Sequence, residues 1–582
     1  MSERTERSER TGRASAEDVK AESRHLRGTL DGELGGSEDS FTGDATTLLK
    51  FHGIYQQDDR DVRRARTAKK LPLDYSCMVR AAVPRGRLTA ERWLALDRLA
   101  ERTDGTLRLT TRQGVQLHFV RKPDLRQIVH DINGAGLSTL AACGDVVRNV
   151  MACPDPRHDH ALDPVVQELV SRFRPATAAY WELFIDGEKA ASLEEESEPV
   201  YGETYLPRKF KIGVAWPGDN CIDVFSNDVG IVPTLANGES ADITGYVVLV
   251  GGGLGRSVNR DDTYPRLGTP LAWVAPGEVV DVVEHVVTTQ RDHGNREDRK
   301  RARLKYLIDE RGIEWLRSQV ETKLGRALPP PVSLAEWHPG DHHGSTDDTM
   351  GLPVPSGRIA DHEGVRLRTA LRRLATDRLI DDIRVTPRQD LLFVGVDAPR
   401  QSRIADVLRD HGVALPADVS PVRRLSIACP ALPTCGQALG EAERVLPDVV
   451  DTIEALLATH GVADEPIRVN MTGCPNGCAR PYTSEIGISG RTKKTYDLYL
   501  GGTAAGTRLG VEVRSDMTLD ELDSVLGPVV ERFAAARRSG STQRFGEWCA
   551  GIGIAELTSW LPEPTVRMRG EARQREPEMT AR

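Results

Sequence analysis

VPRGRL at Val83–Leu88 returns further along the chain as VPSGRI at Val354–Ile359, and LRLTTRQ at Leu107–Gln113 returns as IRVTPRQ at Ile383–Gln389. The order then holds. VRNVMACP (Val147–Pro154) aligns with RRLSIACP (Arg423–Pro430), which sets Cys153 opposite Cys429. FSNDVGI (Phe225–Ile231) matches YTSEIGI (Tyr482–Ile488), and YVVLVGG (Tyr246–Gly252) matches YDLYLGG (Tyr496–Gly502). Repeats this long and this few mean a duplicated domain with pseudo-two-fold symmetry, not a short-period solenoid. The local pattern around the first motif predicts a strand over Ser76–Val83, a turn at Pro84–Gly86, and a helix from Thr89 with Trp93, Leu96 and Leu99 on one face. A strand pair over Thr106–Val120 and a helix over Asp124–Asn133, stopped by Gly134, complete a small α+β unit. Each copy then continues into a larger mixed-sheet part. WHPGDHHGSTDD (Trp337–Asp348) divides the copies and reads as a mobile polar linker, its histidines not expected to form a metal site.

A chain of 582 residues exceeds one ordinary domain and suggests about three. With 39% hydrophobic and 28% charged residues it can bury a sizeable core and stay in solution. The nine cysteines are odd in number and unevenly spread, which speaks against a disulfide framework and for a reducing compartment. No signal-peptide pattern and no membrane-spanning apolar run is read, so the expectation is a soluble cytoplasmic protein. A net charge of −9 gives no reason to expect nucleic acid, and it makes local basic clusters more informative. Residues 1 to about 45 read as polar arm or tail, with one helix around Ala16–Leu26.

Four cysteines fall in two pairs in the second copy: Cys429 with Cys435 in ACPALPTC, and Cys474 with Cys478 in MTGCPNGCARP. Thiolate is a soft ligand suited to iron–sulfur clusters or zinc. Structural zinc usually takes closer knuckles; here the spacings are x5 and x3, with Pro430, Pro433, Pro475 and Gly477 holding the loops open. An iron–sulfur cluster is the favoured reading, ahead of zinc and ahead of buried unliganded thiols. A duplicated fold that keeps such a group in one half can bind it between the halves, where pockets tend to form.

Treated as extended chain, Leu107–Phe119 places Arg108, Thr110, Arg112, Gly114, Gln116 and His118 on one face and Leu107, Leu109, Val115, Leu117 and Phe119 on the other. A solvated strand face is the plain alternative. Arg80 on the first strand, Arg148 five residues after Cys143, and Lys209 and Lys211 in LPRKFK add further cations. On an acidic chain, that many cations in predicted strands point to a polyanionic ligand in a cleft. Nucleotide motifs are missing. GGGLGRS (Gly251–Ser257) has Arg256 where a third glycine belongs and lacks the GK of a P-loop. Electrons are therefore expected from a partner protein.

These residues together resemble the siroheme-containing assimilatory sulfite reductase hemoproteins of the sulfite/nitrite reductase family. The resemblance is nearly collinear from about Arg24 to Pro562 and includes FHGIYQQDDRD (Phe51–Asp61), LRLTTRQGVQLHF, TYLPRKFK (Thr204–Lys211), LVGGGL, TTQRDHGNREDRK (Thr288–Lys300) and both cysteine motifs. It implies an α+β fold, internally duplicated, in which ferredoxin-like small halves and two larger mixed-sheet α/β domains surround siroheme and a [4Fe–4S] cluster. The expected divisions are an arm and extended segment (1–73), a first ferredoxin-like half (74–145) and a first siroheme domain (146–336). A second ferredoxin-like half (349–420), a second siroheme domain carrying the cysteines (421–565) and a tail (566–582) follow.

The resemblance also implies roles. Cys429, Cys435, Cys474 and Cys478 would hold the cluster, with Cys478 as the thiolate shared with siroheme iron. Arg80, Arg148, Lys209 and Lys211 would bind sulfite, and Arg108, Arg112, Gln116 and His118 would hold siroheme carboxylates. The implied reaction is the six-electron reduction of sulfite to sulfide, with electrons from an NADPH-dependent flavoprotein or from ferredoxin. In some ferredoxin-dependent relatives a tyrosine and a cysteine beside siroheme are covalently joined, and Tyr55 and Cys143 stand at the matching places. RAAVPRG (Arg80–Gly86) departs from the RCRLPGG-like strand of flavoprotein-partnered relatives, with Ala82 for an arginine and Arg85 for a glycine. That leaves the donor open and suggests an altered edge towards siroheme or donor. Nitrite reduction at the same site, a non-catalytic iron–sulfur carrier and a zinc-bound structural protein are the rival readings.

Overall fold

The computed structural model describes residues 15–185, 197–236 and 242–564, so the expected tail from 566 onwards lies outside the described residues. The duplication is real in three dimensions, and its copies are interlocked. One five-stranded sheet runs Ile54–Asp58, Tyr75–Ala81, Val115–Val120, Leu107–Leu109 and, from the second copy, Arg358–Ile359. The other runs Gly344–Ser345, Thr349–Leu352, Leu391–Val394, Asp382–Val385 and, from the first copy, Arg87–Thr89. Each small half thus lends its edge strand to the other: Arg358 pairs with Arg108, and Arg87 with Arg384.

The repeated motifs are the residues that make this exchange possible. Gly86 (φ +72°) and Gly357 (φ +70°) occupy the left-handed region, and a Cβ would come within 2.1 Å of Val385 O at the first and 2.7 Å of Leu109 O at the second. Only glycine fits such a crossing. Gln113 donates to Arg85 O and Val385 O (both 3.1 Å), while Gln389 donates to Leu109 O (3.3 Å), so each half holds the other's turn.

Helix Ala90–Ala100 begins where Thr89 caps it by accepting from Arg92 N, and it buries Trp93, Leu96 and Leu99 as its periodicity demands. Buried Asp97 on this helix accepts from Arg368 (2.7 Å) and Arg372 (2.5 Å) of the second copy.

The larger parts carry matching five-stranded sheets. In the first, Met151–Ala152, Ile212–Val214 and Val229–Leu235 run parallel, and Ile243–Val250 and Thr269–Val274 return antiparallel. In the second, Ile427–Ala428, Val469–Thr472 and Ile486–Gly490 run parallel, followed by antiparallel Tyr496–Leu500 and Val511–Met517. Near-continuous apolar runs such as Tyr246–Val250 suit strands covered on both faces.

Two expectations about loosely held segments are corrected. From residue 15 onwards the N-terminal segment is not a tail. Helices Ala16–Ala21, Leu30–Leu34 and Gly43–Leu49 pack into the body, with Leu26 and Leu30 fully buried and Lys20 donating to Leu206 O at 2.9 Å. The Arg296–Glu17 and Arg299–Glu17 ion pairs clamp this region from TTQRDHGNREDRK. The linker after Trp337 is seated as well: His343 pairs with Asp390 at 2.9 Å, and both His342 and His343 are largely buried.

Candidate active site

Directly opposed residues on antiparallel strands share a face. Gln116 faces Arg80 on one neighbour and Arg108 on the other, and Arg108 faces Arg358, so one row across four strands is cationic with a single amide in it. With its amide oxygen turned to Arg80, Gln116 accepts from Nε (3.1 Å) and Nη2 (2.6 Å). His118 lies two residues along the same strand, buried, with neither ring nitrogen hydrogen-bonded. Burial and then Arg358, Arg108 and Arg80 hold it well below the usual histidine range, so the ring is neutral.

The simple alternation expected over Leu107–Phe119 does not persist. Thr110 N bonds Gly114 O, Gln113 takes φ +57° and Phe119 φ +55°, so the stretch is two strands around a tight turn with a bulge near its end. Arg112 therefore leaves the row. From the turn it reaches Asn227 Oδ1 (2.8 Å), Asn149 O (2.7 Å) and Ile212 O (2.9 Å), in the large sheet. Arg108 is also engaged, by Glu443 and by Ala428 O (2.8 Å) next to Cys429.

Arg80 Nη1 lies 2.9 Å from Cys143 Sγ. Arg148 donates to Gly144 O (3.2 Å from Nη2), and the charges of Arg148 and Arg80 act on the Tyr55 hydroxyl beside Cys143, bringing Tyr55, Cys143, Arg80 and Arg148 into one cluster. Lys209 and Lys211 are half-buried, and among the described residues neither ammonium has a hydrogen-bond or ion-pair partner. Burial, Arg148 and Arg208 lower Lys209 to about 7; burial, Arg303 and Lys209 push Lys211 well below its usual value. Cations this close destabilise one another's charge, a cost that an anion between them removes.

Cys429 and Cys474 are buried, Cys435 is half-buried, and Cys478 alone of the nine cysteines is exposed. Burial and the neighbouring thiols raise the pKa of all three partners of Cys478, Cys474 to about 12, so without a cationic group they stay protonated. Gly473 N (3.3 Å) and Asn476 Nδ2 (3.5 Å) donate to the sulfurs of Cys429 and Cys474, as to a charge they await. Cys478 opens into a cavity that Arg112, Lys209, Lys211, Arg303, Asn476 and Arg480 also line.

Sequence reasoning missed Arg303, Arg480, Arg388 and Arg60. Arg303 is buried in a two-pronged pair with Asp228 (2.7 and 3.2 Å), whose Oδ2 also accepts from Lys211 N (2.9 Å). Arg388 is the counterpart of Arg112 in IRVTPRQ, and the repeat itself was the signal that could have found it. Arg60 holds the cysteine loop through Ala438 O at 2.6 Å. Arg85, which stands where relatives carry a glycine, is buried, pairs with Asp159 and Asp163 (2.8 and 2.5 Å), and bonds Cys153 O (3.0 Å).

Residues 143–328 and 421–567 match the nitrite and sulphite reductase 4Fe-4S domain, and residues 72–135 match the nitrite/sulfite reductase ferredoxin-like half domain. The chain belongs to the nitrite and sulphite reductase family. Within this family it is 42% identical over 555 residues to the sulfite reductase [NADPH] hemoprotein beta-component of Paenibacillus sp. (strain JDR-2), covering 93% of this chain and 96% of that one. Its counterpart in Myxococcus xanthus is 42% identical over 562 residues, covering 94% and 98%. Among solved structures, the NirA protein of Mycobacterium tuberculosis superposes with a TM-score of 0.74 at 26% identity, covering 92% of this chain and 95% of that one.

The residues present fit the groups this family carries. Four thiols suit a [4Fe–4S] cluster. The unpartnered buried nitrogens of His118, Arg108, Arg112 and Arg388, with the two bare lysines, suit the many carboxylates of siroheme and a small oxyanion.

Proposed function

We propose that this protein reduces sulfite to sulfide with six electrons delivered by a partner protein. The observation that carries the reading is Cys478, the one exposed thiol of the cluster set, opening onto a cavity walled by Arg112, Lys209, Lys211 and Arg303. Cys429, Cys435, Cys474 and Cys478 would hold a [4Fe–4S] cluster and the cationic walls a siroheme, which together would supply the electrons for reduction of the anion. The chain's own residues do the rest. Arg80, Arg148, Lys209 and Lys211 hold the oxyanion and the negative charge that accumulates as it is reduced. Each of the three sulfur–oxygen bonds that break sends its oxygen away as water, which takes two protons. Lys209, with its pKa near 7, can give and regain a proton at neutral pH, and Lys211 neighbours it. Neutral His118, Arg108, Arg112 and Gln116 are assigned to the siroheme carboxylates.

The beta-component names of the relatives favour an NADPH-dependent flavoprotein as donor. The Tyr55–Cys143 cluster favours ferredoxin; an intact mass lower by two hydrogens, with both residues in one peptide, would support that side, and separate peptides would dismiss it. The proposed compartment is the cytoplasm, in keeping with nine free thiols. Among the described residues no helix is long and apolar enough to cross a membrane.

The test is turnover of sulfite and nitrite by the cofactor-loaded protein with a chemical reductant, then with each donor protein. Sulfide formation at the higher kcat/KM supports the reading. A far higher kcat/KM for nitrite makes the protein a nitrite reductase, and no turnover of either anion leaves an electron carrier.

A further inference from the structure

We propose that Cys153, Asp219, Cys221 and His342 form a second metal site, for zinc, that fastens the linker between the two copies to the first large sheet. Their ligand atoms all lie within 4.8 Å of one another. Asp219 Oδ2 is 3.2 Å from Cys153 Sγ and 3.6 Å from His342 Nε2. A tetrahedral zinc ion with bonds of about 2.0–2.3 Å sets its ligands roughly 3.3–3.8 Å apart, so the four need only small side-chain movements. Two thiols, an imidazole and a carboxylate, the thiols buried and the other two partly so, make a donor set that suits zinc over magnesium or calcium.

Three features show a built site. Cys153 and Cys221 are buried, and His342 Nε2 is buried with no hydrogen-bond partner, although it points into the cluster. The backbone aims the carboxylate: Cys221 N donates to Asp219 Oδ1 (2.9 Å), leaving Oδ2 for the centre. The linker is held so that His342 arrives there, since His338 N bonds Gly218 O (2.7 Å), and His342 itself takes φ +58°. Arg85, fixed on Cys153 O at 3.0 Å, supplies a positive neighbour to the excess negative charge that two thiolates and a carboxylate leave around a divalent ion.

The place in the fold gives the site a rationale. Cys153 is the repeat counterpart of Cys429, and the surrounding contacts are duplicated. Arg384 donates to Pro154 O (2.8 Å) and pairs with Asp159, as Arg108 donates to Ala428 O (2.8 Å) and pairs with Glu443. The second copy completes its loop with three more cysteines. The first completes it with Asp219, Cys221 and a histidine from the linker, which restrains the junction of the copies. Nothing in this site touches the cavity at Cys478, so the inference stands apart from the catalytic reading.

The experiment is zinc and iron analysis of the full-length, cofactor-loaded protein after washing with EDTA. About one zinc per chain is expected, with two sulfur and two nitrogen or oxygen neighbours at the zinc absorption edge. Cys221→Ser and His342→Ala should each lower zinc about tenfold or more while iron and the visible spectrum stay unchanged, and hydrogen exchange over 337–348 should accelerate. Wild-type protein with less than about a tenth of a zinc per chain overturns the proposal. So does full zinc retention in both variants, or a Cys153–Cys221 disulfide in protein alkylated without reduction.

Discussion

Arg80 Nη1 sits 2.9 Å from Cys143 Sγ, while Gln116 holds the other edge of the same guanidinium. The arginine assigned to the oxyanion is thus positioned by two neighbours that contact no substrate. Hydrogen bonds to charged groups contribute about 1.5–3 kcal/mol. Cys143→Ala is therefore expected to lower kcat/KM for sulfite about tenfold or more, with siroheme content unchanged; unchanged kinetics would show that Arg80 is seated without the thiol.

The role proposed for Lys209 makes anion binding pH-dependent. Its pKa is lowered to about 7, so the ammonium is charged below that value and neutral above it. Affinity for nitrite, which stays a monoanion across this range, is expected to be greatest below pH 7 and to fall as pH rises through it. Lys209→Met should flatten the profile. Stability moves the opposite way. Between about pH 7 and 10.5 the unfolded chain binds a proton that the folded chain does not, so the cost of burying Lys209 shrinks as pH rises. A wild-type affinity independent of pH from 6 to 9 would remove Lys209 from the binding set.

The strand exchange rests on glycine. Gly86→Ala places a Cβ 2.1 Å from Val385 O at φ +72° and is expected to cost more than about 3 kcal/mol, because backbone must move. Gly461→Ala is the comparison, at φ +75° with no atom within 4 Å, and should cost only about 1 kcal/mol. Equal thermal shifts in the two variants would contradict the close crossing.

Asp228 pairs with Arg303 inside the protein and also accepts from Lys211 N. Asp228→Asn leaves a buried arginine without its carboxylate and is expected to destabilise by about 3–5 kcal/mol, read as a lower denaturant midpoint. It also removes the one carboxylate holding Lys211 towards its charged form, so sulfite KM should rise. Adding Arg303→Met should recover much of the stability but not the KM; recovery of both would assign the pair a purely structural role.

Much of the site is local in origin and was legible early. Cysteine spacing needs no long-range information, and a cation repeated at every second residue of a strand declares a polar face. Arg108, Gln116 and His118 satisfy that rule because they lie on true strands. Arg112 escaped it because the turn at Thr110–Gly114 breaks the alternation. Arg303 gave no pattern to read: a buried arginine is recognised by the carboxylate it meets, and Asp228 is distant along the chain.

By itself the sequence determined the duplication, the four-thiol set and the presence of a cationic surface, since each is written in residues close together or repeated in order. Only the tertiary structure decided that the halves trade edge strands, that Cys478 faces the lysines, and that His342 of the linker joins Cys153. Those three facts depend on which buried groups come within a few ångströms of one another, and the close packing that fixes such distances acts between segments hundreds of residues apart.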